Sequence, residues 1–230
     1  MRIILLSSIL VLGFVATLQA QSSLFLQQAK PTHPNDKSSV EATALFSSQP
    51  LSGFLPVRIK VVNDRKKPVT IRLDAVSSVT EYHSNNSQMS SEFSITVKSG
   101  TASTHDLLVP VVTAIESSAG YYSNDISLSL TGDLGRNYGS LTSIFSFNNP
   151  SILISESLHT PNAGALNSAI MSRFASSHRY GSEAFAARFN PEMLPEDWRA
   201  FSGYDIVMAT ENDWLAMTPA ARNAILEGCR

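Results

Sequence analysis

The sequence is poor in cysteine and in charge, and both shortages exclude classes of protein. Its 230 residues include a single cysteine, Cys229, so no internal disulfide can form and a disulfide-stapled secreted scaffold is excluded. Cys229 falls in the last turn of a predicted helix, where we expect an ordinary helix residue. Charged residues make up 16% of the chain, and the formal net charge is −2. No basic field is present to hold a phosphate backbone, which excludes nucleic acid as a partner.

The first 20 residues predict export. Arg2 supplies a positive charge, and an apolar stretch over residues 3–15 follows it, broken only by Ser7 and Ser8. Residues 16–20, Ala-Thr-Leu-Gln-Ala, fit a cleavage region with a small residue at the cut. The apolar stretch is shorter than the about 20 residues that span a bilayer. We therefore expect a signal peptide over residues 1–20 and a protein on the periplasmic or extracellular face, with an uncleaved anchor as the alternative.

Short alternating segments dominate residues 41–148, after a polar stretch over residues 21–40 that predicts a flexible leader. Val57, Ile59 and Val61 alternate with basic residues, and residues 69–74, 93–98 and 126–131 show the same period of two. With three further segments, at residues 42–47, 104–112 and 141–147, this predicts about seven antiparallel strands. The count and the spacing favour an immunoglobulin-like β-sandwich without the Cys…Trp…Cys core of antibody domains.

The pattern changes after Asn148-Asn149-Pro150, where we place a domain junction. Residues 151–155, 184–189 and 204–209 predict strands. Helical segments are predicted from Asn162 as N-cap, over residues 194–201, and from Thr218 to a C′ glycine at Gly228. This alternation predicts an α/β domain with a parallel sheet over residues 151–230. The fold class is thus a mainly β sandwich followed by an α/β domain with three strands present.

Three strands are few for such a sheet, because doubly wound domains usually have five or more. The sheet edge beyond the third strand would then lie uncovered. We therefore expect the chain to be the N-terminal portion of a longer protein. A small complete domain whose edge is covered by a partner is the alternative.

A resemblance to a known family rests on one continuous segment and a few residues after it. The segment is residues 194–208, Leu-Pro-Glu-Asp-Trp-Arg-Ala-Phe-Ser-Gly-Tyr-Asp-Ile-Val-Met, and it is followed by Leu215, Thr218-Pro219 and the helix over residues 222–226. This segment resembles exported, poorly characterised bacterial proteins with a class I glutamine-amidotransferase-like domain of flavodoxin-like α/β fold. The resemblance implies that a sandwich precedes the α/β domain. It also implies a membrane anchor outside the given chain, which would hold these domains outside the cytoplasmic membrane.

Amidotransferase chemistry is not expected here. It needs a cysteine nucleophile on a sharp strand-to-helix turn, an activating histidine and backbone amides that face the oxyanion. The predicted strand at residues 204–209 is followed by Thr210-Glu211-Asn212-Asp213, without the glycine pair that an oxyanion loop of that kind uses. The five histidines lack ligand-like spacing, so we expect no metal and no cofactor.

The carboxyl ends of the predicted parallel strands hold the best candidate site. Open parallel sheets bind ligands at these ends. The candidate ligand-facing loops contain Glu156, Thr210, Glu211, Asn212 and Asp213. The competing interpretation is that these residues cap helices and solvate loops.

These observations favour a non-catalytic protein of the cell envelope that binds an envelope protein or a small ligand. Two alternatives stay open. One is an exported hydrolase whose nucleophile lies in a missing C-terminal part. The other is a carbohydrate-binding sandwich, for which Tyr121 and Tyr122 are the obvious aromatic pair.

Overall fold

The computed structural model describes residues 26–29, 35–81, 87–113, 121–146, 150–173 and 186–228. Within those ranges the chain forms two four-stranded antiparallel sheets, one three-stranded parallel sheet and three α-helices. The predicted signal peptide lies outside them, as do Cys229, His33, His83 and His178.

Eight strands form the two antiparallel sheets. In chain order they are β1 (Leu26–Ala29), β2 (Ser39–Ala44), β3 (Gly53–Asn63), β4 (Val69–Glu81), β5 (Ser87–Val97), β6 (Thr101–Val111), β7 (Tyr121–Gly132) and β8 (Asn137–Ser146). One sheet has the order β1-β2-β3-β6, and the other has the order β5-β4-β7-β8. Strand β1 lies inside the stretch predicted to be a leader and pairs with β2 through its main chain.

The period-two pattern explains how the sheets pack. Ile59 on β3, Leu73 on β4 and Leu128 on β7 are buried and belong to one apolar cluster. Their neighbours alternate outward, as Lys60 does on β3. Each large apolar side chain that leaves water contributes about 1.5–3 kcal/mol, so this shared cluster is what holds the two sheets face to face.

The strand order is of immunoglobulin type. Strands β2, β3 and β6 share one sheet, while β4, β5, β7 and β8 form the other, so the chain changes sheet between β3 and β4, between β5 and β6 and again between β6 and β7. In constant-type immunoglobulin domains the strand equivalent to β5 joins the opposite sheet. Here it pairs with β4 along its whole length. The predicted β-sandwich is confirmed, with this difference in one strand.

A parallel sheet follows, as predicted. Its strands are β9 (Ile152–Ser155), β10 (Ala186–Phe189) and β11 (Ile206–Met208), in the order β10-β9-β11. Its helices are α1 (Glu156–Arg173), α2 (Glu211–Ala216) and α3 (Pro219–Gly228). Strand β9 is central and entirely buried, which agrees with its unbroken apolar sequence. The predicted fold class, a β-sandwich and then a parallel sheet with helices, is therefore confirmed.

The two faces of the parallel sheet are covered differently. Leu158 and Leu166 of α1 pack against Ile152, Ile154 and Ala186 on one face. The opposite face joins the same apolar cluster as the sandwich, together with α3. Because one cluster runs through both parts, the parallel sheet shares its core with the sandwich.

Helix α1 begins earlier than the sequence predicts. Asn162 was predicted as its N-cap, but the helix starts at Glu156, directly after β9. The side-chain amide of Asn162 instead donates to the carbonyl of Leu158 at 2.8 Å. Leu158 packs against the sheet, and this burial extends the helix back through residues that local capping signals would leave outside it.

Of the segment predicted as helical at residues 194–201, the last four residues form a helix, and it is a 3-10 helix. One 3-10 helix spans Pro191–Met193 and a second spans Trp198–Phe201. The side chain of Asp197 caps the second by accepting from the backbone N–H of Arg199 at 3.0 Å. Strand β11 is shorter than the predicted residues 204–209, and the backbone N–H of Asp205 just before it donates to the carbonyl of Ser151 at 2.8 Å.

Helix α3 begins as predicted and ends differently. The hydroxyl of Thr218 accepts from the backbone N–H of Ala221 at 3.1 Å, and Pro219 is the first helical residue. Gly228 was predicted as a C′ residue, but it is the last residue of the helix and packs on the second 3-10 helix. A Cβ on Gly228 would lie 2.8 Å from Cβ of Phe201 and 2.9 Å from the carbonyl oxygen of Trp198. The position therefore needs glycine for space.

The connection between β2 and β3 joins the sandwich to the C-terminal part, which we define as residues 150–228. Phe46 is fully buried there and forms an antiparallel bridge with Phe189 of β10. Its ring centroid lies 5.8 Å from that of Phe201 and 5.5 Å from that of Tyr204. Phe46 is thus the aromatic centre of the contact between the two parts, at spacings typical of favourable aromatic pairs.

Candidate functional site

The predicted site lies at the carboxyl ends of β9 and β11, and Asp213 is its centre. Thr210 is the N-cap of α2, and its hydroxyl and backbone N–H each bond to the carboxylate of Asp213, at 2.7 and 2.8 Å. The backbone N–H of Asp213 donates in return to the Thr210 hydroxyl at 3.1 Å. This is a reciprocal capping box, which satisfies donors that a helix start otherwise leaves free.

Asp213 also ties α2 to the central strand. The hydroxyl of Ser155, the last residue of β9, donates to Oδ2 of Asp213 at 2.7 Å. The hydroxyl of Ser157 in α1 donates to Oδ1 at 2.6 Å. The carboxylate therefore accepts four hydrogen bonds from three residues, and it links the start of two helices to the end of one strand.

These contacts fix the charge of Asp213. Its burial works to raise its pKa, since a charged carboxylate loses water there, but the hydrogen bonds from Ser157, Ser155 and Thr210 outweigh that effect. The pKa of Asp213 is consequently lower than usual, and the group stays ionised at neutral pH. An ionised carboxylate with four donors has little capacity left for proton transfer.

The other predicted site residues do not converge on Asp213. Glu156 is half-buried in the first turn of α1, while Glu211 and Asn212 are exposed in the first turn of α2. The structure therefore brings Thr210 and Asp213 together, and it leaves the three remaining side chains at helix starts. The residues at this sheet edge are arranged as helix caps.

Metal-ligating side chains are not clustered in the part of the chain that the structure describes. No group of three or more histidine, cysteine, aspartate or glutamate residues there could hold an ion. His105 places its Nε2 atom 3.0 Å from the hydroxyl of Ser103 on the same strand. His159 is buried in α1.

A second candidate site lies where the sandwich meets the C-terminal part. It is an open groove of about 980 Å³, which we call the Trp198 groove. Arg58 of β3 and Thr104 and Asp106 of β6 line it from the sandwich. Six residues between Glu192 and Arg199, together with Thr218, line it from the C-terminal part. Binding sites often lie between packed units in this way.

Ion pairs order the charged lining of the groove. Arg58 and Asp106 are opposite residues on paired strands, and the guanidinium binds both carboxylate oxygens at 2.7 Å. Arg199 binds Asp197 through Nη2 at 2.6 Å and through Nε at 3.0 Å. Hydrogen bonds to Asp106 raise the pKa of Arg58, and those from Arg199 lower the pKa of Asp197. Two-point pairs of this type hold both partners in one geometry.

Trp198 is the large aromatic residue in this lining, and 46% of it is exposed. The 3-10 helix that carries it is capped by Asp197 and packed from behind by Gly228 of α3. An indole left this open on a rigid turn offers a flat apolar face to a ligand.

The motif residues that follow Trp198 hold the two parts together. The Tyr204 hydroxyl donates to the carbonyl of Ser48 at 3.0 Å, and burial raises its pKa well above the usual value. Gly203 has no room for a side chain, because a Cβ would overlap the carbonyl oxygen of Ser52 and lie 2.7 Å from Cβ of Pro50. Inside the C-terminal part, Asp205 accepts from the backbone N–H of Ser151 at 2.8 Å. The segment that carries the resemblance is thus mostly a packing element.

Sequence reasoning missed the Trp198 groove. The sequence identifies Trp198 only as part of the motif, and Arg58 only as one of the basic residues that alternate with Val57, Ile59 and Val61. The outward position and opposite charges of Arg58 and Asp106 were visible signals. Their pairing was not, because it depends on which strands become neighbours across 48 residues of sequence.

The fold and the groove define a mainly β protein: an immunoglobulin-type sandwich that shares its core with a small parallel sheet and its helices. The sequence matches no protein-family model, and no curated protein matches it. Within the described residues, no helix is long and apolar enough to cross a membrane.

Two solved structures show partial similarity. One is the sporulation control protein Spo0M from Bacillus subtilis, with 10% identity over 44% of this chain and a TM-score of 0.27. The chain spans about half of that protein, 47% of its length. The other is the ApaA protein from Bordetella pertussis, with 11% identity over 51% of this chain, 96% of that chain and a TM-score of 0.24. Scores this low assign neither a family nor a function.

Proposed function

We propose that this chain is an exported, non-catalytic binding protein of the cell envelope, and that it holds its ligand or partner in the Trp198 groove. The observation that carries the proposal is the exposed Trp198 in a groove built from both parts of the chain. A catalytic site would be expected at the carboxyl ends of the parallel strands. The side chains that meet there are Thr210 and Asp213, and both act as caps of helix α2.

We further propose that the parallel sheet belongs to a class I glutamine-amidotransferase-like domain that lacks the catalytic groups. The order β10-β9-β11 supports this, because it places the second, first and third strands side by side as in flavodoxin-like sheets. In an active amidotransferase an oxyanion loop would follow β11. Here the residues after β11 form the start of helix α2. An anchor beyond the given chain, as the resemblance implies, would keep the groove at the membrane surface.

Export is tested by fusing residues 1–40 to an enzyme that is active only outside the cytoplasm. We expect activity in bacterial cells, because Arg2 and the apolar stretch after it have the form of a secretory signal. The matched control carries Leu10→Arg and Leu12→Arg, which interrupt the apolar stretch, and it should be inactive. Equal activity of the two fusions would show that these residues do not direct export.

Binding is tested with Trp214→Phe protein, in which Trp198 is the only tryptophan. Short peptides, amines and soluble oligosaccharides are titrated while its fluorescence is followed. We expect at least one class to bind, and Trp198→Leu to weaken that binding about tenfold by calorimetry, in line with the loss of an aromatic contact at a site centre. Leu226→Ala, which alters an exposed side chain of α3, is the control and should bind normally.

Two outcomes would contradict this function. Hydrolysis of glutamine or of a general ester by the purified protein would show that it is an enzyme. Binding that is the same in wild type and in Trp198→Leu would place the site outside the groove.

A further inference from the structure

The Trp198 groove carries more negative than positive charge. Its lining contains the arginines Arg58 and Arg199 and four carboxylates, which are Asp106, Glu192, Glu196 and Asp197. Asp106 and Asp197 are committed to the two arginines through paired hydrogen bonds. Glu192 and Glu196 therefore remain as an excess of two negative charges in the lining.

Glu196 is held in place at the rim of the groove. Its Oε1 atom accepts from the hydroxyl of Thr218 at 3.2 Å, and its charge helps to raise the pKa of Arg58 across the groove. Both Glu192 and Glu196 are exposed, so a ligand in the groove can reach their carboxylates.

The exposed indole ring of Trp198 also favours a positively charged ligand. The face of a tryptophan ring has negative electrostatic potential and attracts ammonium and guanidinium groups within about 6 Å. An aromatic face beside uncompensated carboxylates favours cations and disfavours anionic ligands. A neutral sugar would gain the ring contact but would leave the excess charge uncompensated.

We propose that the Trp198 groove binds a lysine- or arginine-bearing peptide segment, with the cationic side chain against Trp198 and near Glu192 and Glu196. This rests on the proposed function, because it specifies the ligand of the same groove. A peptide fits better than a small amine, since the groove is open, has a volume of about 980 Å³ and is lined from two strands and two 3-10 helices. A small amine would leave most of such a groove empty.

The test compares trilysine amide with its Nε-acetylated form, again in Trp214→Phe protein. Acetylation removes the side-chain charges, keeps the backbone and lengthens each side chain by one acetyl group. We expect acetylated trilysine to bind about tenfold more weakly, and 0.5 M salt to weaken trilysine more than the acetylated probe, because salt screens exposed charges. Trp198→Leu should weaken trilysine about tenfold by calorimetry.

Matched charge variants separate the groove from the overall charge of the protein. Glu192→Gln with Glu196→Gln should weaken trilysine about fivefold, a value in the range of two exposed ion pairs. Asp64→Asn with Glu227→Gln removes the same charge at exposed positions outside the groove lining and should change binding less than twofold.

Three results would overturn the inference. If acetylated trilysine or a neutral oligosaccharide binds as well as trilysine, and Trp198→Leu weakens it, the groove is a binding site for another ligand class and the proposed function stands. If both charge variants weaken trilysine equally, the attraction is not local to the groove. If trilysine fails to bind, the cationic ligand is wrong, and the wider set of probes then decides the proposed function.

Discussion

Phe46→Ala is expected to lower the free energy of unfolding by about 3–5 kcal/mol. Phe46 is fully buried, bridges to Phe189 and has the rings of Phe201 and Tyr204 as neighbours. Truncation removes its apolar contacts and leaves a cavity between the sandwich and the C-terminal part, which both parts help to line. The loss of stability should therefore appear in the unfolding of both parts.

Urea unfolding followed by two signals measures this. Trp198 and Trp214 report on the C-terminal part through fluorescence, and far-ultraviolet circular dichroism reports on the sandwich strands together with the C-terminal helices. We expect coincident transitions in wild type and a common shift to lower urea in the variant, as for one cooperative unit. Phe93→Ala on strand β5 is the control, because Phe93 is only partly buried and far less should be lost. A dichroism transition in Phe46→Ala that splits in two, with one step at the wild-type midpoint and the other at the fluorescence midpoint, would show that the sandwich folds independently of this contact.

The strands of the sandwich could be predicted because their signal is local. Val57, Ile59 and Val61 alternate with basic residues whichever strands they later pair with, and burial follows the alternation. Strand β9 was predictable for a related reason, since its apolar run has no polar face. In both cases the side-chain period already specifies which faces are covered.

The contact between the two parts could not be predicted in the same way. Residues 45–52 connect two strands and have no period, yet Phe46 becomes the centre of the interface. The predicted start of α1 was wrong for a similar reason, because the packing of Leu158 against the sheet outweighed the cap signal at Asn162. Local signals give no information on packing between segments that are distant in the sequence.

The two candidate sites differ in the same way, since one follows from a local signal and the other depends on the packing of distant segments. The rule that ligands bind at the carboxyl ends of parallel strands led to Thr210 and Asp213, which the structure does bring together. Their hydrogen bonds favour the capping interpretation that the sequence left open. The Trp198 groove combines residues 58, 106 and 198 from three separate segments, so only the assembled fold displays it.

Asp213→Ala is expected to destabilise the protein by about 3 kcal/mol, measured as a shift in the urea midpoint. The carboxylate accepts from Ser155, Ser157 and twice from Thr210. Ser155 is fully buried, so its hydroxyl would exchange a charged acceptor at 2.7 Å for the neutral hydroxyl of Ser157 at 3.3 Å. The loss should decrease in acid, since the lowered pKa of Asp213 means that its stabilisation is fully present above the unfolded-state value of about 3.9 and is lost as the pH falls from there through the lower folded-state pKa.

Asp213→Asn keeps the shape of the side chain and removes its charge. Its amide oxygen can take the place of Oδ2 and accept three of the four bonds, while the amide nitrogen can donate to the Ser157 hydroxyl, so we expect a loss of only about 1 kcal/mol. Glu211→Ala in the same helix turn is exposed and should stay within about 0.5 kcal/mol of wild type. If Asp213→Ala were as stable as wild type but bound its ligand more weakly, Asp213 would be a ligand-binding residue. The sheet edge would then have to replace the Trp198 groove as the binding site.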